Sequence, residues 1–146
     1  MSNIAPLQDK LITLLQGKMD SLAGDVVPRQ VKAYEGELAG LKSVRVLPSV
    51  MVDVAQSFDL EAKDVGGTIF DSDLQPELIL FAQNKTSGAD TVTDLAKLAD
   101  WTINAIKSEV IFLDGPLELS RRIRGRMITD MEPASCILTL ELRSPE

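Results

Sequence analysis

Residues 44–84, VRVLPSVMVDVAQSFDLEAKDVGGTIFDSDLQPELILFAQN, constrain the fold more than any other stretch of the chain. Two strand-like runs flank a polar loop that bears glycines. Successive strand residues face opposite sides of a sheet, so Val50, Val52 and Val54 share one side and Met51, Asp53 and Ala55 the other. One side of this run is expected to be core. In the second run, Glu77 to Gln83, Leu78, Leu80 and Ala82 alternate with Ile79 and Phe81, so it is apolar on both sides and belongs deep in the sheet. The two runs are expected to pair, with the rest of the chain covering or extending them.

A chain of 146 residues with 45% apolar composition fits one domain, residues 1–146, large enough to bury a single core. No run approaches the roughly 20 apolar residues that cross a bilayer, and the amino terminus has neither a basic cluster nor a secretory apolar segment. A soluble, unprocessed protein without a membrane partner is the expectation. The lone cysteine, Cys136, rules out an internal disulfide and fits a reducing cytoplasm.

The chain has no histidine, and so lacks the usual proton shuttle near neutral pH and the commonest transition-metal ligand. Zinc sites and Cys-His catalysis are thereby excluded; no metal, cofactor or catalytic residue is expected. The net charge of −7 is unevenly spread: residues 57–100 hold three lysines against nine carboxylates, whereas residues 101–146 hold six basic and seven acidic groups. An acidic balance argues against general binding to a phosphate backbone.

Along the chain, Pro6 suits the first turn of a helix. Ile4, Leu7, Leu11, Leu14, Leu15, Met19 and Leu22 form an amphipathic stripe, and Gly24 is a candidate stop. Pro28 opens an extended segment containing Val31 and Ala33, read as the first strand. Pro48 belongs at a strand entrance or bulge, because it lacks a ladder donor.

The long connection across residues 57–76 reads as a projecting loop or hairpin. Phe58 to Lys63 and Thr68 to Phe70 are its arms, with a reversal at Asp64, Gly66 and Gly67 and a second turn at Asp71-Ser72-Asp73. Two readings stay open for it: a solvated loop, or an arm that orders against a neighbouring subunit or a tube, which makes Asp64, Gly66 and Gly67 candidate contact residues. A second helix is expected from near Asp90, with Thr91 to Asp94 resembling a capping box. Val92, Leu95, Ala99, Ile103 and Ile106 form its stripe. Trp101 lies off that line beside Leu98 and Ala105, where it either covers the core edge or anchors an interface.

Val110 to Leu113 reads as a short strand stopped by Asp114-Gly115-Pro116. The next strand, Leu117 to Ile128, carries Arg121, Arg122, Arg124 and Arg126, with Arg122, Arg124 and Arg126 on one face and Arg121 and Ile123 opposite. Three roles compete for this row: a solvated edge that deters edge-to-edge pairing, a strip that meets the acidic 57–100 region of a neighbour, or contact with DNA. The last strand alternates, with Cys136, Leu138, Leu140 and Leu142 inward and Ile137, Thr139, Glu141 and Arg143 outward. Cys136 is expected to fill the core. The whole is an α+β domain: a mainly antiparallel or mixed sheet of five or six strands, the first strands neighbouring the last, with two amphipathic helices packed on one face.

Lys32-Ala33-Tyr34-Glu35-Gly36-Glu37-Leu38 followed by Leu47-Pro48-Ser49-Val50-Met51-Val52, with the Trp101 helix, Leu117 to Leu119, the arginine-rich piece and a closing alternating strand, resembles the tail terminator proteins of Mu-type contractile-tailed phages and prophages. That resemblance implies a non-enzymatic virion protein, assembled in the host cytoplasm. Its subunits would form a ring, commonly a homohexamer, at the head-proximal end of the tail. The ring would cap tube and sheath proteins, receive the neck or head-tail connector, and surround the path of genomic DNA. Another neck or head-tail joining protein is the alternative from the same assembly. From a different class stands a carboxylate-dependent hydrolase, for which Asp53 is the one nameable carboxylate.

Overall fold

A computed structural model describes residues 4–34, 47–54, 58–62, 70–82, 88–112, 116–129 and 134–143. The chain is α+β, with two helices, α1 (Ile4–Ser21) and α2 (Gly88–Ile106), contacting a mixed sheet. Its strands are β1 (Gln30–Ala33), β2 (Ser49–Asp53), β5 (Glu77–Phe81), β6 (Val110–Phe112), β7 (Pro116–Ile128) and β8 (Ser135–Arg143), in the spatial order β1-β2-β5-β8-β7-β6. The outermost, β6, contributes only three residues. A separate two-stranded ribbon is made by β3 (Phe58–Ala62) and β4 (Phe70–Leu74). In the main sheet β1 runs parallel to β2, and every other pair is antiparallel.

As the apolar alternation demands, β2 and β5 pair, with Val50 opposite Leu80 and Val52 opposite Leu78. β5 lies between β2 and β8, and its two faces enter two different clusters. Leu78, Leu80 and Ala82 join the main core under the helices, with Val50, Val52, Val54, Cys136, Leu138, Leu140 and Leu142. Ile79 and Phe81 join a smaller cluster on the other face, with Met51 and Ile137 and with Tyr34, Leu47 and Ile128 packed against them. Met51 and Ile137, expected on solvent-facing sides, are therefore buried. The first and last strands are not neighbours as expected: β5, with buried apolar residues on both faces, takes the middle and separates β2 from β8.

The helices dock through leucines. Leu7, Leu11 and Leu15 of α1 are fully buried, each worth about 1.5–3 kcal/mol. The ion pair between Lys18 and Glu109, at 3.0 Å and half-exposed, adds at most about 1 kcal/mol, so apolar contact sets the docking. Gln16 Nε2 donates to the Val31 carbonyl at 3.0 Å and ties α1 to the first strand. Just before β2, the Arg29 N–H donates to the Pro48 carbonyl at 2.7 Å, so Pro48 stands at a strand entrance with its acceptor in use.

α2 begins at Gly88, two residues before the expected start, which puts Thr91 inside the first turn rather than at its cap. Its buried arc also differs from the expected stripe. Leu95, Leu98, Ala99, Trp101, Thr102, Ala105 and Ile106 are buried, whereas Val92 is exposed and Ile103 half-buried. The arc is wide because α2 touches α1 as well as β5, β7 and β8. Trp101, only 2% exposed, fills the seam between the helices: its Nε1 donates to the Leu22 carbonyl at 3.0 Å, and its ring lies over Gly24. The indole is taken up inside the chain rather than presented to a partner.

A Cβ on Gly24 would stand 2.9 Å from Trp101 Cδ1, closer than side chains tolerate. Gly24→Ala is therefore expected to destabilise the fold by about 1–3 kcal/mol through overpacking, read as a lower urea midpoint followed by the single tryptophan's emission. An unchanged midpoint would show that the seam is loose.

Candidate functional site

The helices cover one face of the sheet, which leaves the other face and the outer edge of β7 uncovered by helices among the described residues. Register builds the helix-free face in rows. One row runs Asp53, Glu77, Thr139, Arg124 from β2 to β7; the next runs Met51, Ile79, Ile137, Arg126; a third runs Ser49, Phe81, Ser135, Ile128. The face thus grades from carboxylates at β2 and β5, across a buried apolar centre, to arginines at β7. Ser49 Oγ is buried in this face without a hydrogen-bond partner among the described residues.

Arg122, Arg124 and Arg126 stand on one face of β7, and Ile123 packs on the core from the other, as the two-residue period requires. Arg122 Nη1 lies 3.9 Å from Glu141 Oε2, with the arginine 63% exposed, a weak surface pair. Arg124 and Arg126 are exposed and have no ion-pair partner among the described residues. Arg121 belongs to β7 where its ladder with β8 shifts register between Glu118 and Arg122. Asp64, Gly66 and Gly67 lie outside the described residues.

The outer edge of β7 matters as much as its charge. β6 pairs with β7 only at residues 116–118, and Leu119 N–H adds one bond to the Glu109 carbonyl at 3.2 Å. Beyond that point, from Arg122 to Ile128, β7 has no strand on its outer side among the described residues. Its end also outreaches the helix layer, since Arg124, Gly125, Arg126 and Met127 are all exposed, Met127 by 40%. An open edge of this kind leaves backbone donors and acceptors free to pair with another strand.

β3 and β4 pair antiparallel within residues 57–76, as a hairpin requires, but the expected second turn does not form: Asp71-Ser72-Asp73 lies inside β4. Register sets Asp59 opposite Asp73 and Glu61 opposite Asp71. By the two-residue period these four acidic residues share one face of the ribbon, and Phe58, Leu60 and Ala62 share the other. The alternation of acid and apolar residues was the signal for strands here; residue types that favour turns obscured it.

Asp53, the one carboxylate considered for hydrolysis, lies opposite Glu77 at the base of the ribbon, half-buried and already engaged in an interaction. Among the described residues no group of three or more Cys, Asp or Glu could hold a metal ion, and no helix is long and apolar enough to cross a membrane. Cys136 is buried in the main core, and desolvation pushes its thiol pKa up. No protein-family model matches the chain, and no curated protein matches it.

Two predictions follow from exposure and burial. Replacing both Arg124 and Arg126 by glutamate is expected to leave the urea midpoint of the monomer within about 0.5 kcal/mol of wild type, since neither side chain supports the fold; a larger loss would assign them a structural role. For Cys136, a pKa raised in the folded state means the unfolded chain releases its proton first. The thiol's contribution is full below the ordinary thiol range and is lost as pH rises through the folded value. Stability is therefore expected to fall more steeply above about pH 8.5 in wild type than in Cys136→Val, and parallel profiles would contradict this.

Proposed function

We propose that this protein is a ring-forming tail terminator, a structural virion component without a catalytic step that caps the tail tube and sheath and joins the tail to the neck. The observation that carries the reading is the presence, on one subunit, of two unlike and complementary surfaces. One is an acidic ribbon face, and the other is an arginine-bearing open edge. Surfaces that complement each other but not themselves associate head to tail, and head-to-tail contacts close into rings when the rotation permits. The resemblance of residues 32–38, 47–52 and the carboxyl-terminal half to tail terminators supplies the biological setting of such a ring.

Of the three roles weighed for the arginine row, subunit contact is favoured over DNA contact. The net charge is −7, and the arginines stand on a sheet edge with a matching acidic surface in the same chain. Another head-tail joining protein would use the same surfaces, and the position of the ring in an intact particle separates the two.

Deleting the gene from a producing phage is expected to yield tails of irregular length that fail to join heads. Electron microscopy of complemented particles should show the protein's density at the head-proximal end of the tail. Uniform, head-joined tails after deletion, together with a strictly monomeric protein in the presence of its tube partner, would overturn the reading.

A further inference from the structure

We infer that neighbouring copies of this chain join by strand addition, with β3 of one subunit pairing along the open Arg122–Ile128 edge of β7 in the next. The contact presupposes the ring proposed above and specifies its joint.

Among the described residues, neither partner has a strand on the side in question: β3 belongs to a ribbon of two strands, and its sister β4 lies against β8. The five residues of β3 fit within the seven of β7 that lack an outer neighbour. A strand added there brings its alternate residues onto the two faces of the sheet in turn.

Chemistry then matches on both faces at the same two-residue period. When Asp59 and Glu61 fall on the helix-free face, they meet the row of Arg122, Arg124 and Arg126. Phe58, Leu60 and Ala62 then fall on the other face, beside Ile123, Gly125 and the exposed Met127. A slip of one residue would set apolar residues against arginines and carboxylates against Met127, so the pattern fixes which face of β3 meets the arginines and excludes odd-numbered slips.

Two further features favour this occupant over others. Register sets Asp59 opposite Asp73 and Glu61 opposite Asp71, a like-charge pattern that disfavours a strand pair, and a two-stranded ribbon alone is marginal. A strand that bears arginines supplies the opposite charge. Charge on the β7 edge also repels basic strands and disfavours uncharged ones while admitting an acidic one, so one device both discourages wrong pairing and selects the right partner.

Reversing charge on each side in the full-length chain tests the contact. Arg124→Glu with Arg126→Glu, and separately Asp59→Arg with Glu61→Arg, are each expected to weaken self-association about tenfold or more at physiological salt, measured by sedimentation and native mass spectrometry. Mixing the two variants should restore assembly as alternating oligomers, because each then offers the surface that the other needs. Glu61→Cys combined with Arg124→Cys should give covalent ladders on oxidation, whereas either alone should not; this arm does not depend on charge reversal being tolerated. Wild-type association with unaffected variants, or no restoration on mixing together with no ladder, would overturn the strand-addition contact and leave the ring standing. A wild-type chain that stays monomeric at every concentration, with and without tube protein, would overturn both.

Discussion

Burial of β5 on both faces is the constraint on which the rest of this structure depends. Leu78 and Leu80 enter the cluster under the helices, Ile79 and Phe81 the cluster on the opposite face, and both neighbours are strands. A strand without a polar face has no place at an edge, so β2 and β8 flank it and the sheet grows outward from them. The sheet ends in short strands, β1 of four residues on one side and β6 of three on the other.

That arrangement also decides where contacts with other molecules can form. The helices consume the face to which Val50, Leu80 and Leu138 point. The opposite face closes its own apolar centre around Phe81, which is 1% exposed. Among the described residues, strand edges without a neighbour lie at the periphery: in the ribbon between β2 and β5, and along β7 beyond the reach of β6. Between Asp53 opposite Glu77 and Phe58 opposite Leu74, one strand advances five residues and the other three. The ribbon therefore does not simply continue the ladder of β2 with β5.

The fold was legible wherever burial follows a simple period. Alternation named both faces of β5, the inward leucines of β8, the arginine row of β7 and the leucine stripe of α1, because two- and near-four-residue repeats report directly on which side is covered. Legibility failed where a distant segment decides. Trp101 is buried because Leu22 and Gly24, far away in the chain, supply an acceptor and a gap for its ring. Ile137 and Met51 are buried because the second face has a cluster of its own, which no local pattern announces. Asp71-Ser72-Asp73 has residue types that favour turns, yet the ladder with β3 holds it as a strand. As for the site, the arginines and the arm were visible as separate features. The pairing proposed for them draws on strand order, which leaves β7 without an outer strand from Arg122 to Ile128 among the described residues, and on register, which aligns the acids.

Amide hydrogen exchange across a concentration series tests the central claim most directly, since strand addition must occupy backbone N–H groups that are otherwise solvated. The account predicts that raising protein concentration slows exchange within residues 122–128 and 58–62 together, while the amides of β5 remain equally protected throughout. Self-association that leaves both segments exchanging at their dilute rates would contradict it.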